Sequence, residues 1–505
     1  MKSVNTLRQM RAQKAQKKRA ITTTLPAPIG GLNTRDGLAL LKPDEAINLT
    51  NWWVTGLDVR VRNGYVPWSG SLSGHVETLL SYSGAATNRL FAATSSGNIY
   101  NITGADEFLT DESGNYLTAE NGYQFVVDSA NSVLSTSGLS NGRIQYINFT
   151  TTGGNYIRTV NGADYSRVYD GTSWHADGDG APYDVTGVDS RNLIHINMHK
   201  NRIWFLQSAT LDAWYLATLA LGGAATKFSL ASVAQKGGYL MAMATWTIDA
   251  GYGVDDLAVF VTSNGEVIVY RGTDPASAST WALVGNWQIG APVGRRCMYK
   301  WAGDLLIITQ DGVQPMSGAL QSSRINPRVN LTDKIQPTIS AAITQSSGNF
   351  GWQLIYNPNI NMLMLNVPVQ ERVNQQQYVM NTVTKAWSGP FTGWSANCWE
   401  MFNNVAYFGG NELVGLAWEK NSDAGEDIDA SAIQAFNYLG KPGIQKRMNL
   451  FQPLFYTNGS PSIFGGVNVD FDTVISTEQV IVQPSRYAMW DSAIWDQSLW
   501  APDID

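Results

Sequence analysis

One short pattern returns along this chain: an apolar strand ending in Thr, two intervening residues, Gly, and a second strand. It reads Leu90-Phe91-Ala92-Ala93-Thr94-Ser95-Ser96-Gly97 before Ile99-Tyr100. It reads Leu257-Ala258-Val259-Phe260-Val261-Thr262-Ser263-Asn264-Gly265 before Glu266-Val267. It returns as Leu305-Leu306-Ile307-Ile308-Thr309-Gln310-Asp311-Gly312-Val313. Gly265 and Gly312 stand 47 residues apart, about the length of one four-stranded propeller blade. The pattern predicts an all-β chain wound into a β-propeller of about six blades, with five to seven as the range.

Composition agrees with that architecture. Charged residues make up 15% of the 505 positions, against roughly 25% in ordinary soluble chains. The 48 glycines suit many turns, and the 18 tryptophans suit extensive contact surface. Cys297 and Cys398 are too few for a disulfide framework and read as free thiols.

Charge is unevenly placed. Lys2, Arg8, Arg11, Lys14, Lys17, Lys18 and Arg19 form a basic arm without an acid, and the rest carries 27 bases against 41 acids. The arm lacks the apolar stretch of a secretory signal. It reads as a segment that orders on a partner, with a solvated tail as the alternative. No run of 18 apolar residues occurs, so no membrane span is expected.

The chain divides as a basic arm (1–25), an N-terminal segment with the first propeller strands (26–104), an insertion or irregular blade (105–160), the remaining blades (161–435) and a C-terminal β segment (436–505). Pro43 followed by Asp44 and Glu45 predicts a short helix over Lys42–Trp52. The alternation Val59-Arg60-Val61-Arg62 predicts a strand, and Asn63-Gly64 a hairpin turn. Tyr123–Val127 and Gln145–Phe149 read as strands, with a turn at Gly153-Gly154. Units closing on Trp174 and Trp387, together with Arg202–Leu206 and Val405–Gly410, supply further strands. The acidic stretch 421–430 reads as a loop or boundary, and Phe464–Ile481 as strands. At the C-terminus Trp490, Trp495 and Trp500 recur every five residues, which fits successive turns rather than helix or strand. Such an edge packs on a neighbouring subunit or seals the ring within the chain.

Catalytic and metal chemistry finds little support. His195 and His199 share i,i+4 spacing but lie in a strand-like segment, and no Cys-x-x-Cys or His-Glu-x-x-His accompanies them. They read as hydrogen-bonded structural histidines. Asp177-Gly178-Asp179-Gly180 lacks the ligand spacing of a calcium loop and reads as a solvated turn. Phosphate loops and nucleophile elbows are absent. Asp170-Gly171-Thr172-Ser173-Trp174 resembles the Asp-box turn of sialidase propellers, but with Asp and Gly adjacent, which is the wrong spacing. A glycosidase pair cannot be chosen among 41 acids by sequence alone. No metal, cofactor or catalytic residue is expected. The acidic body fits a surface past which DNA slides without sticking.

Several stretches in order resemble one family. They are Gly30-Gly31-Leu32-Asn33-Thr34-Arg35-Asp36, Asn51-Trp52-Trp53, Val59–Tyr65, Asn141–Thr150, Val160–Asp164, Tyr169–Trp174, His199–Phe205 and the Trp-Asp tail. Together they span about residues 30–500 and are similar to the tail nozzle, or tail tubular, proteins of short-tailed phages. The resemblance implies a propeller assembled as a homo-oligomer, a hexamer, in the virion tail after assembly in the host cytoplasm. It implies contact with the adaptor and portal ring, with tail fibres or tailspikes, and transiently with genomic double-stranded DNA. The expected function is structural and non-enzymatic: to retain packaged DNA and conduct it during ejection. The candidate partner-binding residues are Arg8, Arg11, Lys14, Lys17, Lys18, Arg19, Trp490, Trp495 and Trp500. A neck adaptor or a receptor- or glycan-binding propeller is the alternative, and a carbohydrate-active propeller the remoter one.

Overall fold

Thr94, Thr262 and Thr309 are fully buried and each ends the second strand of a sheet. The glycine three residues later takes positive φ in every copy: +77° at Gly97, +78° at Gly265 and +105° at Gly312. That conformation is open to glycine and strained for other residues. The turn closes locally, with Gly97 N donating to Thr94 O at 3.0 Å and Gly265 N to Thr262 O at 3.0 Å. Each turn then receives the chain running on from its own sheet. Leu139 N donates to Gly97 O at 3.0 Å, Ile289 N to Gly265 O at 2.8 Å, and Val313 N to Thr332 Oγ1 at 3.2 Å. The repeated motif is thus a docking point between sheets, which is why it repeats. A Cβ on Gly97 would meet Leu139 O at 1.7 Å. Gly97→Ala is expected to cost more than about 1 kcal/mol in urea unfolding, since strain and clash add. A cost within 0.5 kcal/mol would show that this docking does not matter.

The computed structural model describes residues 22–111, 116–117, 125–128, 132–249, 254–320, 329–440, 442–457, 462–475 and 479–480. They fall into two units, 28–434 and 1–27 with 435–505. The first unit is an all-β propeller. Blade 1 contains Val76–Tyr82, Arg89–Thr94, Ile99–Asn101 and Val133–Thr136. Blade 2 contains Gln145–Thr151, Gly154–Val160, Arg167–Tyr169 and Trp174–Ala176. Blade 3 contains Leu193–His199, Arg202–Gln207, Asp212–Tyr215 and Thr226–Ser229, and blade 4 Leu240–Asp249, Val254–Thr262, Glu266–Gly272 and Trp281–Gln288. A three-stranded sheet follows: Met298–Trp301, Asp304–Thr309 and Gly312–Pro315. Blade 5 contains Gln353–Asn357, Met362–Gln370, Asn374–Asn381 and Trp387–Phe391. Blade 6 contains Cys398–Phe402, Val405–Gly409 and Val414–Ala417, and its fourth strand is Tyr65–Ser69 from the start of the chain. The expected propeller of about six blades therefore forms, with the three-stranded sheet set between blades 4 and 5.

The first strands of neighbouring sheets face one another around the ring. Because every sheet lies between two others, both faces are buried, and central strands read as unbroken apolar runs rather than alternating ones. Leu257, Val259 and Val261 enter the cluster shared with the three-stranded sheet, while Ala258 and Phe260 enter the one shared with blade 3. Burying Phe260 fully contributes about 2–3 kcal/mol.

The expected helix over Lys42–Trp52 is instead a strand, Glu45–Thr50. Proline and two acids make a favourable local helix start, but Ala46 and Leu49 are buried at the edge of blade 5, and that burial decides. Gly31–Leu32 and Ser431–Gln434 flank this strand, so both ends of the unit are stitched to one blade. Trp52–Val54 and Val59–Val61 pair as a hairpin whose turn contains Gly56 at φ +102°. Asn63-Gly64 does not turn a hairpin. Gly64 is required for close approach instead, since a Cβ there would meet Ser422 O at 1.9 Å.

The stretch 105–160 divides in two. Gln145–Val160 is the regular first hairpin of blade 2. The excursion is confined to the segment between the third and fourth strands of blade 1, where Glu107–Phe108 pairs with Val126–Asp128. Part of the expected strand Tyr123–Val127 lies outside the described residues. Among the described residues, no helix is long and apolar enough to cross a membrane.

The second unit carries little regular structure in its described part. Ile463–Phe464 pairs with Gln479–Val480, and Phe436 meets Phe471 at 5.1 Å between ring centroids. The described residues between those two strands form none, with Asp470 and Phe471 at positive φ. The arm residues Arg8, Arg11, Lys14, Lys17, Lys18 and Arg19 and the tail residues Trp490, Trp495 and Trp500 lie outside the described residues.

Candidate functional site

A cluster of charge joins sheets from different sides of the propeller, in the segments where the chain passes from strand to strand. Glu77, on the innermost strand of blade 1, is fully buried. Its carboxylate accepts from Arg143 Nε at 3.1 Å, Arg372 Nη2 at 2.7 Å and Gly142 N at 3.0 Å. Arg143 leads into blade 2 and also donates to Glu371 at 2.5 Å, on the far side of the ring in blade 5. Arg296 precedes the three-stranded sheet. It reaches across to blades 1 and 2, donating to Thr78 Oγ1 at 2.5 Å, Glu77 O at 3.2 Å and Ile144 O at 3.2 Å. Its neighbour Arg295 donates to Asn161 O of blade 2 at 3.3 Å. The guanidinium groups of Arg143 and Arg296 lie over the Phe350 ring, at 4.7 and 5.0 Å from its centroid. Phe350 N donates to Glu371 at 2.9 Å.

Three arginines, Arg143, Arg295 and Arg296, thus carry hydrogen bonds from one side of the ring to the other. Burial lowers the pKa of Arg295 and Arg296, and the nearby charge of Arg143 lowers that of Arg295 further. Among the described residues, the cluster sets the guanidinium groups of Arg143, Arg295, Arg296 and Arg372 beside Glu77 and Glu371.

Deeper along the axis, Glu400 of blade 6 accepts from Ser81 Oγ at 3.2 Å, and Ser81 Oγ lies 3.1 Å from Tyr146 OH. Burial pushes the Glu400 carboxyl up to about 7, opposed by hydrogen bonds from Tyr146 and Ser81 and by the charge of Arg296. The arrangement ties blades 1, 2 and 6 together through Ser81, Tyr146 and Glu400. Glu77→Gln keeps the shape but removes the charge from two charge-assisted hydrogen bonds. It is expected to cost about 2 kcal/mol in urea unfolding and to speed hydrogen exchange at Gly142. An unchanged midpoint would mean that the bridge contributes nothing.

The histidines are placed as their strand-like segment suggests. His195 Nε2 lies 2.8 Å from Met243 O, and His199 Nδ1 3.1 Å from Thr245 Oγ1, so both join blade 3 to blade 4. Among the described residues no group of three or more His, Cys, Asp or Glu is placed to hold a metal ion. Cys297 and Cys398 are free and buried.

The turn at Asp177 is not simply solvated. Asp177 is the counter-ion of the fully buried Arg158, whose Nη2 donates to it at 3.0 Å while Nη1 donates to Tyr183 O and Leu221 O. Asp179 caps the turn by accepting from Ala176 N at 2.7 Å. Asp170 accepts from Thr172 N and Ser173 N, both at 2.7 Å, and forms the tight turn that its adjacency to Gly171 favours.

Sequence reading missed this cluster because Glu77 lies on a strand of blade 1 while its partners come from connections far away in the chain. The Arg295-Arg296 and Glu371-Arg372 doublets are its only local trace.

No family model and no curated protein matches the chain. Among solved structures, the extracellular domain of a putative one-component system from B. thetaiotaomicron is 11% identical at a TM-score of 0.39, covering 77% of this chain and 48% of that one. The chain therefore spans about half of that protein's length. The Swd1 β-propeller domain of Myceliophteria thermophila is 10% identical at 0.42, covering 70% of this chain and 99% of that one. Raptor of Chaetomium thermophilum is 8% identical at 0.38, covering 71% and 30%. None of the three is described as a phage protein.

Proposed function

We propose that this chain is a non-enzymatic subunit of a short-tailed phage tail, a nozzle protein whose copies surround the path of the genome. The observation that carries the reading is the bridged axis. Arg143, Arg295 and Arg296 each donate across the propeller, so in this reading a conduit for a duplex runs between copies and not through one. The ordered motifs from Gly30 to the Trp-Asp tail support the family. Residues 28–434 hold 23 bases against 34 acids, a net charge of −11, which supports a wall that does not bind DNA. In this reading the basic arm and the Trp490–Trp500 tail contact the adaptor ring or a neighbouring copy.

Particles assembled without the protein test the reading. They are expected to lose packaged DNA and to lack the distal tail. Full particles with an intact tail would refute it.

The excursion in blade 1 favours a second reading, a receptor-binding propeller, because Leu109, Phe125 and Val127 are exposed on it. Deleting the excursion while the rest of the ring assembles separates the two: lost adsorption favours the receptor role, and lost ejection the conduit.

A further inference from the structure

Residues 442–457 run without helix or strand in the second unit, yet they are apolar. Leu450 and Leu454 are each 83% exposed and Tyr456 is 95% exposed, with Met448, Phe451 and Phe455 about half exposed. Soluble chains rarely leave a continuous apolar stretch of that size uncovered. The stretch is also basic. From residue 430 to 469 there are three bases, Lys441, Lys446 and Arg447, and no acid. Within 442–457 the bases are Lys446 and Arg447, opposite in sign to the propeller's net charge of −11.

A matching surface exists on the propeller. The outer edge of blade 5 is covered by Glu45–Thr50. Trp281–Gln288 of blade 4 is eight residues long, and no strand pairs with its outer edge among the described residues. A bulge at Val284 interrupts its inner pairing, and Leu283 and Val284 are both about half exposed. Open apolar edges of this kind accept an added strand.

We propose that residues 442–457 form an exchange arm that lies along the blade 4 edge of a second copy of this chain. Main-chain hydrogen bonds to Trp281–Gln288 and burial of Leu450, Leu454 and Tyr456 would join the copies. This deepens the ring reading and rests on it for the need of a contact between copies.

The test uses full-length protein. L450S/L454S/Y456S is expected to convert a multimer to monomers in light scattering, or to weaken association at least 100-fold, with propeller unfolding unchanged. Unchanged assembly, or a wild-type protein that is monomeric at high concentration, would overturn the arm. A second measurement fixes the receiving edge. A Leu283→Cys chain is mixed with a Leu454→Cys chain and treated with a short bis-maleimide, Cys297 and Cys398 being buried and silent. A cross-link between chains is expected in the mixture and not in either variant alone. No cross-link, or one formed only within a doubly substituted chain at high dilution, would overturn the proposal. Arm-dependent multimers alongside DNA-retaining particles without the protein would leave the arm standing and remove the nozzle reading. The reverse pattern would remove the arm alone.

Discussion

Asp423→Ala is expected to lower the stability of the propeller by about 3–5 kcal/mol, because it leaves a buried guanidinium without its counter-charge. Arg62 has a fully buried side chain, and all five of its N–H donors are engaged. Nε donates to Asn51 Oδ1 at 3.0 Å, and Nη1 to Asn63 O at 2.9 Å and Asp423 Oδ1 at 2.8 Å. Nη2 donates to Asp423 Oδ2 at 2.5 Å and to Thr392 O. The guanidinium also lies 4.4 Å from the Trp394 ring centroid, and Trp394 Nε1 donates to Asp423 at 3.1 Å. These bonds tie residues 51–63 to residues 392–423, beside the place where Tyr65–Ser69 closes blade 6. Urea unfolding should show the loss as a lower midpoint with little change in slope. Arg62→Met combined with Asp423→Leu should recover part of it, since removing both charges relieves the unpaired one. A loss under 1 kcal/mol for Asp423→Ala would mean that this lock does not hold the ring.

Acid is expected to weaken the join between blades 3 and 4. Burial pushes His195 and His199 down to about 4 from 6.5, with Arg295 lowering the first further and Lys200 the second. Below pH 6.5 the unfolded chain protonates both rings, while the folded chain stays neutral until near pH 4. Their contribution is therefore fully present above pH 6.5 and is lost as pH falls toward 4, by up to about 3 kcal/mol for each ring. Glu400 acts in the opposite sense. Its raised pKa makes its contribution full below 4.5 and lost as pH rises through 7. The difference between wild type and a variant isolates the histidines. His195→Gln with His199→Asn keeps a neutral donor or acceptor near each ring position. It should show a smaller stability loss than wild type between pH 6.5 and 4. Parallel curves would show that neither ring titrates with unfolding.

What could be read from sequence was local. Thr94-x-x-Gly97 and its two relatives declare themselves because a buried threonine and a left-handed glycine lie within four residues. The unbroken apolar run Leu257–Val261 likewise signals a sheet covered on both faces. The segment after Pro43 misled because its helix-starting chemistry is also local, while the burial of Ala46 and Leu49 depends on blade 5, more than 300 residues away. Asp177 and Asp423 looked like members of polar loops, and only the folded chain brings Arg158 and Arg62 to them. The axial cluster was invisible for the same reason. Glu77, Arg143, Arg296 and Glu371 meet only once the ring has closed.

Electron microscopy of the purified protein, viewed down its assembly axis, tests the central claim most directly. A closed ring of copies is predicted, with an open bore between subunits and side-chain density filling the axis of every propeller at Arg143, Arg295 and Arg296. Single propellers at every concentration, or a bore running through the centre of each one, would contradict it.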